Sequence, residues 1–308
     1  METSFLKLDG LVRRFGERTA VDGLTVEIAR GEVFGFLGPN GAGKTTTFHL
    51  LTGLLAADGG RILIEGREAS PTDPRVRQRL GVVFQEPSLD DKLTGIENLR
   101  LGAALYGISG KTAETRIAEM LELVELGDRA KEPVDRYSGG MKRRLEVARV
   151  LLANPEILIM DEPSRGIDQS TQRRIWTQLL DWRARRRLTI LLTTHVPDEA
   201  EYCDRLAILD HGKVIALDTP ESLRGKVGGD VIVLEAEGAD SLAAEVQAQL
   251  QLHPRVVDGK VVIEAPRGHE LIPRIVEALP AGRLQAVGMR RPTLADAFVH
   301  LTGRGLHS

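Results

Sequence analysis

The sequence predicts an α/β fold, a largely parallel sheet flanked by helices, followed by a smaller α+β domain. Three observations predict it. Val33–Leu37, Ile157–Met160 and Thr189–Thr194 are short apolar runs without alternation, as in strands buried on both faces of a parallel sheet. A glycine-rich stretch, Gly38 to Thr45, joins the first of these runs to a helical pattern. After Pro220 the texture changes to strand, helix, hairpin, helix, strand.

In chain order, Phe5–Leu8 and Leu24–Ile28 read as strands. Thr45–Leu55 reads as a helix with Phe48, Leu51 and Leu55 on one face. Arg61–Glu65 and Gly81–Phe84 are further strands. Residues 96–126 read as helical, broken at Gly107 to Gly110, and form a helical insert. A further helix with Leu145, Ala148 and Leu152 on one face opens on Ser138-Gly139-Gly140. Asp204–Asp210 and Lys213–Leu217 read as a hairpin about His211-Gly212. The tail elements are Val231–Glu235, Ser241–Leu250, Arg255–Glu264, His269–Leu279, Leu284–Met289 and a last helix, Thr293–Leu301. They resemble a ferredoxin-like unit. The boundary is expected near residues 221–229, giving domains 1–221 and 222–308, with the helical subdomain at about 86–153.

The chain has 308 residues, of which 28% are charged and 42% hydrophobic, as in a soluble globular protein. Its net charge of −3 argues against nonspecific nucleic-acid binding, and no nucleic-acid partner is expected. A single cysteine, Cys203, excludes a disulfide framework and reads as a half-buried small residue. No stretch reaches the apolar length of a membrane span, and Met1 to Lys7 lacks the features of a secretory signal. A cytosolic protein is expected, with any membrane role exercised through a partner.

Gly38-Pro39-Asn40-Gly41-Ala42-Gly43-Lys44-Thr45 fits G-x-x-x-x-G-K-[ST], the phosphate-binding loop. Its glycines let backbone N–H groups curl around phosphate oxygens at a helix N-terminus. Lys44 neutralises β- and γ-phosphates, and the Thr45 hydroxyl, followed by Thr46, is placed for magnesium. Ile157 to Met160 then delivers Asp161 and Glu162 at a strand's carboxyl end, where ligands sit in open α/β sheets. Asp161 is expected to hold magnesium, and Glu162 to orient the attacking water. Both halves point to a nucleoside triphosphate that is bound and hydrolysed.

With these motifs the chain resembles the nucleotide-binding subunit of an ABC transporter over residues 1 to about 220. Tyr137-Ser138-Gly139-Gly140-Met141 is similar to the family's LSGGQ signature, just upstream of the magnesium carboxylate. The resemblance implies a P-loop cassette with a RecA-like core, an N-terminal antiparallel β subdomain and a helical signature subdomain. It implies that Phe15 stacks on adenine and that Gln85 touches magnesium and water and senses the membrane partner. It implies that Asp168 couples the two sites of a dimer and that His195 contacts the γ-phosphate. Met141 stands where the family has glutamine, Tyr137 where it has leucine, and Arg165 where serine is common. "EPSLDDKLTGIENLRLGAALYG" and "RPTLADAFVHLTGRG" resemble the drug- and polysaccharide-export branch, including daunorubicin-resistance-type ATPases.

The resemblance further implies a head-to-tail homodimer, or a dimer with a related ATPase subunit, around two ATP molecules. Ser138, Gly139, Gly140 and Met141 would serve the ATP bound by the partner. Permease subunits on separate chains would hold the protein at the cytoplasmic face of the membrane. Lys142, Arg143 and Arg144 are expected to be mainly helix-surface charges. Residues 222–308 carry no nucleotide motif and are expected to be dispensable for nucleotide binding. The alternative is a non-transport ABC ATPase of the translation or DNA-repair type. Against it stand the single cassette and the absence of a heptad tract.

Overall fold

Every residue of β3 (Val33–Leu37), β7 (Ile157–Asp161) and β8 (Thr189–Thr194) is buried. Strands with two buried faces must sit inside a sheet covered on both sides. The computed structural model describes residues 4–306; the first three residues of the N-terminal stretch read above lie outside it. The central sheet has six strands in the order β10-β9-β3-β8-β7-β6, where β6 is Leu80–Val83, β9 is Arg205–Asp210 and β10 is Lys213–Asp218. Neighbours from β9 to β6 pair in parallel, and β10 returns antiparallel to β9. The β9–β10 turn is His211-Gly212 with φ of 46° and 78°. Two positive φ values match the twist of a tight hairpin.

One face of this sheet is covered by α1 (Lys44–Thr52) and a second, antiparallel sheet. That sheet runs β2 (Arg18–Ile28), β1 (Leu6–Phe15), β4 (Gly59–Ile64), β5 (Arg67–Glu68). Phe48, Leu8 and Ile28, all fully buried, join the two layers. The short α2 (Pro74–Arg77) leads into β6. The other face carries α6 (Gln169–Arg186), the short α7 (Pro197–Ala200) and the helical layer. This layer comprises α3 (Gly95–Leu105), α4 (Gly110–Leu123) and α5 (Gly139–Leu151). Thr94 and Glu97 close a capping box at the start of α3, satisfying two helix-end donors.

Beyond α8 (Pro220–Gly225) lies a four-stranded antiparallel sheet, β12-β13-β11-β14. Its strands are β11 (Asp230–Glu235), β12 (Arg255–Val257), β13 (Lys260–Ala265) and β14 (Ala286–Arg290). Helices α9 (Ala239–Leu250) and α10 (Gly268–Ala278) cover one face through Leu242, Val246, Leu271 and Ile275. A strand–helix–hairpin–helix–strand chain with this strand order has the ferredoxin-like topology.

The last helix, α11 (Leu294–Thr302), does not complete that small core. Leu294, Ala297 and Phe298 are fully buried in the same cluster as Leu206, Ile208 and Leu223 of the larger layer. Arg304 then reaches back to Asp210 and lies 2.8 Å from His211 Nε2. A cut after residue 221 would strip the cover from this apolar face and cost the remaining part packing, whatever it does to nucleotide binding. Cys203, expected to be half-buried, lies fully inside, its sulfur against Gly35. Phe298→Ala should lower stability by about 3–5 kcal/mol, the cost of emptying a packed aromatic site. Chemical denaturation monitored by tryptophan fluorescence checks this. A loss under about 1 kcal/mol would mean that α11 contributes little to the shared core.

Candidate functional site

The loop from Gly38 to Gly43 leaves the carboxyl end of β3 and enters α1. Gly43 has φ of 103°, and a Cβ there would lie 2.4 Å from the Ala20 carbonyl oxygen. Only glycine meets both demands. Lys44 is 4% exposed, and its ammonium donates to the carbonyls of Gly38 (2.8 Å) and Pro39 (3.0 Å). Burial pushes its pKa down, opposed by the charges of Glu162 and Asp161. Bonded to the loop's own carbonyls, the ammonium spans the hollow that phosphate oxygens would enter.

Parallel pairing sets Asp161 opposite Thr193, and Leu37 opposite Thr194. Asp161 is buried and accepts a short hydrogen bond from the Thr193 hydroxyl. Burial raises its pKa, a sign of an anion not fully compensated inside the chain. Glu162, next along, has a left-handed backbone, φ 44°. Its Oε1 lies 2.9 Å from His195 Nδ1 and 3.9 Å from the Lys44 ammonium, and its Oε2 accepts from Gln85 at 3.3 Å. Burial pushes this carboxyl up, but the hydrogen bond and charge of His195, with Gln85 and Lys44, outweigh it. The carboxyl is held below the ordinary range and is ionised at neutral pH.

Phe15, 47% exposed at the end of β1, stands over an open cleft of about 260 Å³. Asn40, Gly41, Gly43, Lys44, Thr45 and Thr46 line the same cleft. Arg18 also lines it, donating to the Gly41 carbonyl at 3.2 Å. The sequence reading missed Arg18; its signal was a lone cation three residues beyond Phe15. The structure thus brings Phe15 to the phosphate loop, and Gln85, Glu162 and His195 to one another.

Ser138, Gly139, Gly140 and Met141 line no part of this cleft and, among the described residues, share no hydrogen bond with Lys44, Asp161 or Glu162. Ser138 caps α5, accepting from the Met141 N–H at 3.2 Å, while the Met141 side chain packs on the helical core. The two glycines differ. A Cβ on Gly140 would lie 2.6 Å from the Thr171 methyl, so Gly140 serves the packing of α5 on α6. A Cβ on Gly139 would meet nothing closer than 3.6 Å, so nothing inside the chain demands glycine at this exposed position. Asp168 caps α6 through the N–H groups of Ser170 and Thr171, each at 3.0 Å, and their hydroxyls hold its carboxyl far below the usual range. Thr171 thereby ties the Asp168 turn to the start of α5.

The expected surface position of the Lys142–Arg144 run is corrected at its centre. Lys142 reaches Asp91 at 2.7 Å and Arg144 the Val124 carbonyl at 2.7 Å. Arg143, however, is 4% exposed and bonds backbone carbonyls around the carboxylate strand. At three residues from Glu146 on one helix face, it carries its own counter-ion inward.

The family model described as "ABC transporter" matches residues 21–165. The chain is 38% identical over 309 residues to a daunorubicin resistance ATP-binding protein of Streptomyces coeruleorubidus, covering 98% of this chain and 97% of that protein. It is 40% identical over 313 residues to the Nod factor export ATP-binding protein I of Paraburkholderia xenovorans, covering 99% of each. Among solved structures it is similar to cbiO1 of Clostridium perfringens, described as part of an ABC transporter complex. That match has TM-score 0.68 and 26% identity, and covers 81% of this chain and 97% of the other. A dimeric ATP-binding cassette bound to ADP and phosphate after hydrolysis matches with TM-score 0.62 and 27% identity, covering 70% and 98%.

The two glycines of the α5 start separate by experiment. Gly140→Ala should cost about 1–3 kcal/mol through overpacking against Thr171, recovered largely by Thr171→Ser. Gly139→Ala should leave the melting temperature unchanged. Equal destabilisation by both substitutions would contradict the packing assigned to Gly140.

Proposed function

This chain belongs to the ABC transporter family and is an ATP-binding, ATP-hydrolysing subunit; on that footing we propose that it works as half of an ATP-closed homodimer that drives export through separate membrane permease subunits. One observation carries the dimer. The α5 start presents exposed N–H groups at Ser138-Gly139, yet the chain's own nucleotide cleft is lined without them. An unused anion-binding helix start fits a phosphate brought by a second copy. The solved relative described as a dimer supports this arrangement.

Within one site, Phe15 gives the adenine a stacking face at the cleft mouth. The Gly38–Thr45 N–H groups and Lys44 neutralise the triphosphate, Lys44 exchanging the Gly38 and Pro39 carbonyls for phosphate oxygens. Glu162, ionised and fixed by His195 and Gln85, accepts a hydrogen bond from the attacking water. His195 would meet the γ-phosphate once ATP parts it from Glu162. Most of the acceleration is then positioning and charge neutralisation.

The residues present fit magnesium. Thr45, Gln85 and Asp161 offer hard oxygen donors, and Asp161 is a buried anion with incomplete compensation. Among the described residues no three His, Cys, Asp or Glu side chains form a metal site by themselves; phosphate oxygens and water would complete the shell of a magnesium ion held here. When bound, magnesium supplies charge neutralisation at the β- and γ-phosphates.

The relatives named for resistance and export support an exporter and give no support to the translation or DNA-repair alternative. Among the described residues no helix is long and apolar enough to cross a membrane; in this reading the spanning segments belong to separate permease subunits. A peripheral position at the cytoplasmic face follows from that partnership.

Glu162→Gln should retain ATP binding, lose hydrolysis by about 10²-fold or more, and accumulate an ATP-dependent dimer in sedimentation. Hydrolysis at the wild-type rate would remove Glu162 from the mechanism.

A further inference from the structure

Arg143 is the most deeply buried guanidinium on α5, and its donors fan out to three segments. Nε donates to the Pro163 carbonyl at 2.9 Å, and Nη2 to the Asp161 carbonyl at 3.3 Å. Nη1 donates to the Phe84 carbonyl and, at 2.9 Å, to Glu146 Oε2. Glu146, 1% exposed, uses its other oxygen to accept from the Ser88 N–H (3.0 Å) and hydroxyl (3.2 Å). The pair therefore grips the Gln85 loop at both ends, Phe84 and Ser88.

The carbonyls it holds flank Glu162 on both sides. Glu162 has φ of 44°, a left-handed conformation that costs a residue with a side chain free energy and must be held by its surroundings. Two carbonyls pinned by one rigid, planar fork supply that constraint. Packing alone does not call for such a pair, because apolar side chains of similar volume would fill the space without desolvating two charges. What the ion pair adds is a rigid link from α5 to the Glu162 turn and the Gln85 loop. The same helix begins with Ser138-Gly139-Gly140.

We propose that Arg143, with Glu146 as its counter-ion, is a positioning residue that couples the chain's own Glu162–Gln85 site to the helix start serving the partner's ATP. This rests on the dimer reading above. A shift of the Glu162 turn or the Gln85 loop in one site is carried along α5 to the anion site offered to the other. The sequence alone hid this link, because a basic run on a helix ordinarily faces water.

The test uses two full-length variants, each assayed beside the wild type. Arg143→Lys keeps the charge but replaces the fork by a single ammonium. Arg143→Met with Glu146→Leu removes the pair as a unit and leaves the Phe84, Asp161 and Pro163 carbonyls and the Ser88 N–H without it, so its melting temperature is measured beside its kinetics. Affinity for a non-hydrolysable ATP analogue should stay within about 3-fold, kcat should fall about 10-fold or more with KM little changed, and the Hill coefficient for ATP should fall toward 1. A fall in kcat with cooperativity intact would confine Arg143 to its own site and overturn the coupling. Wild-type kcat and cooperativity in both variants would overturn the proposal entirely, as would a paired apolar variant that cannot fold, since the role would then be structural. A wild type that neither hydrolyses ATP nor dimerises with it would instead sink the dimer reading.

Discussion

Parallel pairing of β3, β8 and β7 is the constraint on which the site depends. The register puts Asp161 beside Thr193 and Leu37 beside Thr194, so the phosphate loop, both carboxylates and His195 emerge at one edge. A one-residue slip would send Asp161 to the opposite face and the Thr193 hydroxyl away from it. The slip is opposed by fully buried runs on all three strands, whose side chains fill layers on both sides of the sheet. Packing far from the nucleotide thus fixes distances at the nucleotide, including the 2.9 Å between Glu162 and His195.

Much of this was legible in the sequence because the residues concerned answer to local rules. The phosphate loop needs glycines, a lysine and a hydroxyl at fixed spacing, and buried strands need unbroken apolar runs. The Ser138-Gly139-Gly140 start needs a cap and an open turn. What stayed hidden depends on partners distant in sequence. Gly140 lacks a side chain because of Thr171, and Arg143 turns inward because three carbonyls and Glu146 wait for it. Arg18 reaches the loop only through the β1–β2 hairpin. The tail elements showed in their periodicity, but nothing local told that α11 packs on α7 and α8 as well as against its own sheet.

That last contact changes how the two parts of the chain relate. Arg304 touches Asp210 and His211 at the β9–β10 turn. The next residue, Gly212, donates to the Ala42 carbonyl within the phosphate loop at 3.0 Å and accepts from the Asp22 N–H at 2.9 Å. The small domain is therefore joined to the loop's underside by one turn as well as by a shared apolar core. Its lack of nucleotide motifs is compatible with an influence on the loop's shape.

The central claim is that the α5 start of one chain serves the ATP of another. Interchain distances test it directly, with spin labels at Glu17→Cys on one copy and Arg136→Cys on its partner in the assembled transporter. Both residues are exposed, and native Cys203 is too buried to label. The account predicts that a short interchain distance, absent without nucleotide, appears with a non-hydrolysable ATP analogue and magnesium. A distance distribution unchanged at saturating analogue would contradict it.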